Sequence, residues 1–130
     1  MLRNLDGRVD CIFFCHGAIN YLGGIDGNLP EWDQIQKINV RSTMQILSTC
    51  LPFLRMTQGT ATVLSSSAGV NPWPGHTIYN SAMASLNMMV KCAALENAPY
   101  NVRINAVAPG YVRSLTSRTN EQFANSLDKD

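Results

Sequence analysis

Three short apolar runs alternate with two long segments that have the spacing of amphipathic helices. The apolar runs are strand-like and lie at Val9–Phe14, Ala61–Ser65 and Val102–Val107. The helix-like segments extend over about residues 31–55 and 77–97. Strands that alternate with helices predict an α/β fold with a parallel sheet of about three strands joined by helical crossovers.

A sheet built from these strands has one uncovered side. Right-handed crossovers between strands that follow one another in sequence place both helices on the same side of the sheet. The other side and the two outer strand edges are then left bare, and folded proteins normally cover such surfaces. We therefore expect a homo-oligomer or a protein partner that covers the bare sheet face.

The first helical segment carries apolar residues on two sides, so it needs two surfaces to pack against. Pro30 is expected to open this helix after a glycine-rich loop. Pro52 removes a backbone hydrogen bond late in the segment, which predicts a kink or an early end there. The two apolar stripes are Ile35, Ile38, Ile46, Cys50 and Phe53, and Val40, Met44, Leu47, Leu51 and Leu54.

The composition is that of one soluble globular unit. The chain has 130 residues, of which 45% are hydrophobic, and one domain usually takes about 100 to 200 residues. We predict a single domain with a core over about residues 8–117 and a polar tail over 118–130. A net charge of +1 gives no reason to expect binding to nucleic acid or to an anionic membrane. Without a signal peptide or a membrane-spanning run, a cytoplasmic location is the expectation.

The cysteines predict neither a disulfide nor a metal site. Cys11 and Cys15 lie on or just after the first strand, roughly 13 Å apart at about 3.3 Å per residue. A disulfide needs α carbons within about 7 Å. Together with His16 they resemble the start of a metal-binding motif, but the second ligand pair that such motifs carry downstream is missing from the sequence.

Four features follow the predicted elements in a recognisable order. Asn39 lies in the first helix, Ser66 follows the second strand, Tyr79 begins the second helix and Pro109–Gly110 closes the third strand. This set resembles the short-chain dehydrogenase/reductase family, over about residues 7–117. The resemblance implies a partial Rossmann-like sheet that lacks the N-terminal dinucleotide-binding half, in a family that transfers hydride between a nicotinamide and a carbonyl or alcohol.

The resemblance also implies catalytic roles for three residues. Tyr79 matches the family's general acid or base, Ser66 matches the serine that binds the substrate oxygen, and Asn39 matches the asparagine that holds a water of the proton relay. More ordinary interpretations exist for each. Tyr79 can pack against the sheet, Ser66 can satisfy turn backbone, and Asn39 can face solvent.

Met83 stands where the family has a lysine. A phenol has a pKa near 10, so it needs a nearby positive charge to act as a base at neutral pH. The position four residues after Tyr79 lies one helical turn further on the same face, and methionine offers it no charge. Proton-transfer assistance contributes on the order of 100- to 10,000-fold in rate, so the sequence predicts a pseudoenzyme or a slow enzyme.

The resemblance implies NAD or NADP as the cofactor. Pro109, Gly110 and Ser114 match the segment that lies along the nicotinamide end, although Pro and Gly are also ordinary turn residues. The 130 residues contain no Gly-x-Gly-x-x-Gly turn for the pyrophosphate, and the resemblance begins just before the family's fourth strand. We therefore expect this chain alone to bind the cofactor weakly or not at all.

The segment Cys15-His16-Gly17-Ala18 occupies the place of the family's Asn-Asn-Ala-Gly turn. The departure changes the hydrogen bonds expected beside the cofactor. His16 is a candidate catalytic base, although a polar residue that ends a strand is the commoner role.

Three functional interpretations follow from the sequence. The first is a truncated or degenerate homologue of an NAD(P)-dependent oxidoreductase, with a small carbonyl or alcohol substrate and little or no activity as an isolated chain. The second is a non-catalytic interaction module that packs against itself or a protein partner. The third is a piece of a longer protein that has a normal cofactor half.

Overall fold

The computed structural model describes residues 7–19 and 24–112. Three parallel strands form one sheet in the order β1 (Cys11–Phe14), β2 (Thr60–Leu64) and β3 (Arg103–Val107). The α/β class, the parallel sheet and the sequential strand order are confirmed. Each strand differs by one or two residues from the apolar run that predicted it. Val9 and Val102 are buried in the core but lie just before β1 and β3, outside the hydrogen-bonded strands.

The helices occupy the two crossovers. The first crossover contains α1 (Leu29–Gln36), a π-helical turn (Lys37–Arg41) and α2 (Ser42–Thr57) in one continuous run. The second contains α3 (Thr77–Asn97). Short 3₁₀ turns at Ser67–Gly69 and Ala98–Tyr100 lie on either side of α3. The boundaries of α3 agree with the prediction, whereas the first run is longer at both ends and includes a π turn that periodicity does not reveal.

The start of α1 has the expected signals. The Asn28 side chain accepts a hydrogen bond of 2.8 Å from the backbone N–H of Glu31, and Pro30 lies in the first turn. An amide oxygen at this position satisfies one of the N–H groups that a helix start leaves without a partner. Of the loop before this helix, the structure describes the part from Gly24 onward.

The predicted early end at Pro52 is wrong, because α2 continues to Thr57. The lost backbone bond is offset by contacts made beyond it. Leu54 is fully buried, and the Arg55 Nε donates a hydrogen bond of 2.9 Å to the Asn97 side-chain oxygen at the end of α3. Tertiary packing of this kind outweighs the local cost of proline.

The buried face of the first helical run differs from both predicted stripes. The residues that it buries follow one another at intervals of three or four and include two polar side chains. Met44 and Ile46, which the stripes placed in contact with other surfaces, are exposed. The buried residues are Ile35, Asn39, Thr43, Leu47, Cys50 and Leu54.

The sheet has a covered side and a bare side, as predicted. Phe14, Ala61, Val63 and Ile104 point toward the helices and form the core with residues of α2 and α3. Alternate residues of the same strands point the other way. On that side Phe13 is 70% exposed, Leu64 45% and Val107 51%. We call these three residues the bare apolar patch.

Gly69 brings the turn after β2 against α3. A Cβ atom placed on Gly69 would lie 2.6 Å from the backbone carbonyl carbon of Met83, which is closer than unbonded carbon atoms approach. Only glycine therefore allows this contact without a backbone shift. The turn that carries Ser66 is fixed in this way to the helix that carries Tyr79.

The four cysteines are free thiols, and their reactivity reports on the packing of α2, because Cys50 on that helix is buried. Cys50 faces the core, and burial raises the pKa of its thiol, which disfavours the reactive thiolate. In the folded single chain we expect Cys11, Cys15 and Cys92 to react quickly with a thiol reagent, since all three are exposed. Cys50 should react only on unfolding. Absorbance measured with and without denaturant counts the two classes, and Cys50→Ser should remove the slow class alone. Four equally fast thiols would contradict this packing.

Candidate active site

One cavity of about 570 Å³ lies at the carboxyl ends of the strands. This is the edge at which parallel α/β sheets bind ligands. The cavity is bounded by the loop after β1, the π-helical turn, the turn after β2, the first turns of α3 and the segment after β3. Its lining residues are Cys15, His16, Gly17, Ala18, Ile19, Asn39, Leu64, Ser65, Ser66, Ala68, Trp73, His76, Tyr79, Met83, Leu86, Gly110, Tyr111 and Val112.

Asn39 fastens the loop after β1 to the π-helical turn. Its side-chain oxygen accepts a hydrogen bond of 2.8 Å from the backbone N–H of Ala18, and its amide N–H donates one of 2.7 Å to the Ala18 carbonyl. Asn39 is 2% exposed, so the solvent-facing interpretation is wrong. The role in a proton relay stays a prediction.

Ser66 stabilises the turn after β2 with its side chain and also lines the cavity. Its hydroxyl oxygen accepts a hydrogen bond of 3.2 Å from the backbone N–H of Ala68, as the turn interpretation expects. Among the described residues no acceptor takes the hydroxyl hydrogen of Ser66. The neighbouring Ser65 is instead buried and bonded to the Asn87 side chain.

Tyr79 and Met83 occupy the same cavity wall on successive turns of α3. Tyr79 is half-buried and packs against the core. Met83 is buried and belongs to the core itself. The position that carries a lysine in the family therefore serves packing here. Lys91 lies two turns beyond Met83 on α3 and is exposed outside the cavity.

The segment after β3 contributes one of its three predicted cofactor residues to the cavity lining. Gly110 lines the cavity, and a Cβ atom placed on it would meet nothing within 4 Å. The Pro109 carbonyl accepts a hydrogen bond of 2.9 Å from the Ser67 N–H, which ties this segment to the turn of Ser66. Ser114 lies outside the described residues.

His16 lies two residues after the end of β1, and its ring contacts two hydroxyl groups of α2. Its Nε2 lies 2.8 Å from the Ser42 Oγ and 3.1 Å from the Thr43 Oγ1. The ring is exposed on the cavity side. The loop that departs from the family's motif is thus bonded to the first helix through both its histidine side chain and its Ala18 backbone.

Sequence reasoning missed Trp73, His76 and Asn80. Trp73 and His76 line the cavity and pack edge to face, with ring centres 6.1 Å apart. The His76 Nδ1 and the Asn80 Oδ1 are buried without a hydrogen-bond partner among the described residues. Buried polar atoms normally have partners, and a water molecule or a ligand hydroxyl would satisfy the Asn80 Oδ1 by donating a hydrogen bond to it. The only sequence signal was their place just before and just after Tyr79.

The described cavity lining contains no lysine, arginine, aspartate or glutamate. His16 and His76 are the only basic side chains in this described lining. The Arg8–Asp10 ion pair, at 2.7 Å, lies at the opposite end of β1. There the Arg8 hydrogen bond lowers the pKa of Asp10, but an exposed pair contributes little to stability.

A family model described as enoyl-(acyl carrier protein) reductase matches residues 2–130 of this chain. The chain belongs to the short-chain dehydrogenase/reductase family. A human relative, "Dehydrogenase/reductase SDR family member 2, mitochondrial", is 34% identical over 110 residues. That alignment covers 83% of this chain and 39% of the relative.

Solved structures of the family show the same fold. A short-chain dehydrogenase/reductase from Burkholderia xenovorans superposes with a TM-score of 0.87 at 24% identity, covering 98% of this chain and 51% of that one. A xylitol dehydrogenase with NAD⁺ bound gives a TM-score of 0.83 at 23% identity, covering 97% of this chain and 47% of that one. The chain thus spans about two fifths to one half of the length of these relatives.

No group of three or more His, Cys, Asp or Glu side chains is placed to hold a metal ion in residues 7–19 and 24–112. Within the same residues, every helix is too short or too polar to span a membrane.

Replacing Asn39 tests how far the site depends on its two bonds to Ala18. Asn39→Ala removes both hydrogen bonds to the half-buried Ala18, and each lost bond costs about 0.5–1.5 kcal/mol. We expect the free energy of unfolding to fall by about 1–3 kcal/mol, measured by chemical denaturation. Asn71→Ala is the matched control, because Asn71 is exposed and its side chain makes no hydrogen bond among the described residues. Equal effects of the two changes would show that the Asn39 bonds contribute nothing measurable.

Proposed function

We propose that this chain carries a degenerate oxidoreductase site of the short-chain dehydrogenase/reductase type. The ancestral reaction is hydride transfer between a nicotinamide and a small carbonyl or alcohol. Tyr79 and Ser66 face one cavity with Asn39 beside them, which supports a common site. As an isolated chain the protein has little or no activity.

Met83 is the observation that carries this proposal. It lies one turn after Tyr79 in the same cavity wall, it is buried in the core, and it carries no charge. No lysine or arginine of the described lining compensates for it. A tyrosine acts as a proton acceptor most readily when a positive charge lies beside it, and Met83 does not supply that charge from the lysine position.

The cavity fits one end of a nicotinamide cofactor and not the other. The space in front of Gly110 is open, so Gly110 and Tyr79 would be the residues that hold the nicotinamide end. When bound, the cofactor would exchange a hydride with the substrate carbon. The pyrophosphate needs a glycine-rich turn or positive side chains, and the described cavity lining offers neither. Cofactor binding by this chain alone should therefore be weak.

Calorimetric titration with NAD(H) and NADP(H) tests the cofactor part of the proposal. We expect no saturable binding to the purified 130-residue chain, because the nicotinamide end alone provides few contacts. We also expect Met83→Lys to show no turnover of NAD(P)H, since a restored charge near Tyr79 does not supply a pyrophosphate site. Met83→Leu serves as the matched packing control. Measurable turnover by Met83→Lys but not by Met83→Leu would overturn the proposal.

A second candidate function is a non-catalytic interaction module. The bare apolar patch supports it, since Leu64 and Val107 are paired neighbours in the sheet and Phe13 lies on the adjacent strand. Contiguous exposed apolar side chains are typical of protein interfaces. A second copy of this chain is the simplest occupant, because it presents the same patch.

Light scattering of the purified chain tests the second function. We expect a homo-oligomer that Phe13→Lys combined with Leu64→Lys converts to a monomer, because two buried charges without partners destabilise an apolar interface. Met56→Lys is the control, since Met56 is at least as exposed as Phe13 and Leu64 but lies on α2 and outside the strands. A monomeric parent chain would exclude self-association through this face.

A further inference from the structure

The turn that leads into α3 is held by two hydrogen bonds to one carbonyl group. The Trp73 carbonyl accepts a bond of 3.2 Å from the backbone N–H of His76 and a bond of 2.9 Å from the side-chain amide of Asn80. Pro74 and Gly75 occupy the two central positions of this turn, and Gly75 has a φ of 80°. Proline followed by a glycine with positive φ is typical of a type II turn. Asn80, in the first turn of α3, therefore bonds this tight turn to the helix.

The side-chain amide of Asn80 has one chemically consistent orientation. Its nitrogen must face the Trp73 carbonyl, because an amide oxygen in that place would meet a second oxygen with no hydrogen between them. A carbonyl oxygen has two lone pairs, and the bonds from His76 and Asn80 use both of them. The bond from Asn80 to Trp73 is therefore directed by chemistry, and the amide nitrogen is its donor.

Trp73 is the largest side chain of the described cavity lining. Its ring packs edge to face against the His76 ring, with ring centres 6.1 Å apart and an angle of 78° between the planes, which is a favourable arrangement for aromatic pairs. Tyr79 lines the same cavity and directly precedes Asn80 in α3. The position of Trp73 consequently affects the shape of the space beside Tyr79.

The outer part of the turn has little packing to hold it. A Cβ atom placed on Gly75 would meet nothing within 4 Å, and Pro74 is exposed. Hydrogen bonds therefore supply much of the restraint on the turn. Of the two bonds to the Trp73 carbonyl, the one from Asn80 is the one that comes from outside the turn itself.

We propose that Asn80 is a positioning residue, which holds Trp73 in the cavity wall through the hydrogen bond to the Trp73 carbonyl. Trp73 in turn sets the shape of the cavity next to Tyr79. The inference goes beyond the proposed function, because it concerns how the cavity is shaped and applies whether or not the site supports a reaction. Its tests therefore need no ligand.

Hydrogen exchange in the unmodified protein tests the bond itself. The side-chain amide hydrogens of Asn80 should exchange with solvent more slowly than those of Asn71, because Asn80 is half-buried and bonded to Trp73. Asn71 is exposed and lies in the same connection between β2 and α3. NMR spectra of the nitrogen-15-labelled chain measure both rates. Equal rates for Asn80 and Asn71 would overturn the inference.

Isosteric variants test the effect on Trp73. The chain has two tryptophans, so Trp32→Phe leaves Trp73 as the sole source of tryptophan fluorescence. In that background, Asn80→Asp removes the donor and places a negatively charged oxygen opposite the Trp73 carbonyl. We expect a red-shifted emission and stronger quenching by acrylamide, because the turn and its ring move toward solvent. Asn71→Asp introduces the same charge into the same connection and should change neither property.

A variant without added charge separates positioning from a loss of stability. Asn80→Leu has a similar volume but neither donor nor acceptor. A merely structural role would lower the free energy of unfolding and leave the fluorescence of the folded molecules as in the parent. Altered Trp73 emission in folded Asn80→Leu supports positioning, whereas unchanged emission and quenching in both Asn80 variants would contradict it. Should either variant fail to fold, the exchange rates of the unmodified protein decide between the two roles.

Discussion

The pair of hydrogen bonds between the Asn39 side chain and the Ala18 backbone holds the candidate site together. Ala18 belongs to the loop that leaves β1, and Asn39 belongs to the π-helical turn of the first crossover. Together with the contacts of His16 to Ser42 and Thr43, these bonds fix the loop after β1 to the helix beside it. A buried amide is tolerated here because its oxygen and its nitrogen are both bonded to backbone.

Further hydrogen bonds and close backbone contacts connect the other cavity walls. The hydroxyls of Ser42 and Thr43 continue along the same helix and orient His16. On the far wall, Gly69 lets the turn of Ser66 touch the backbone of α3, and the Pro109 carbonyl joins the segment after β3 to that turn. The cavity walls are therefore linked mainly by backbone and by short polar side chains. Such links are more rigid than contacts between long side chains, which is what a preorganised site requires.

The sequence predicted the order of elements well, because each strand and helix has a local pattern of its own. The boundaries of α3 agree with the segment of helical periodicity that follows the turn at Pro74–Gly75. The packing of the first helical run could not be predicted in the same way. Its buried face passes through Asn39 and Thr43, whose burial depends on partners distant in sequence. The contributions of Trp73 and His76 to the cavity are likewise tertiary, and no spacing rule identifies them.

The π-helical turn has a consequence for insertions and deletions. A π turn contains one residue more per turn than an α-helix, so Lys37–Arg41 corresponds to a single-residue insertion absorbed within a helix. Loss of one residue before Asn39 would restore regular winding and rotate the preceding segment by about 100° relative to α2. Ile35 would then leave the core while Asn39 kept its place. A relative that lacks one residue here would need a different residue facing the sheet. In a sequence alignment, the position chosen for that gap therefore decides which helix residues are treated as structurally equivalent.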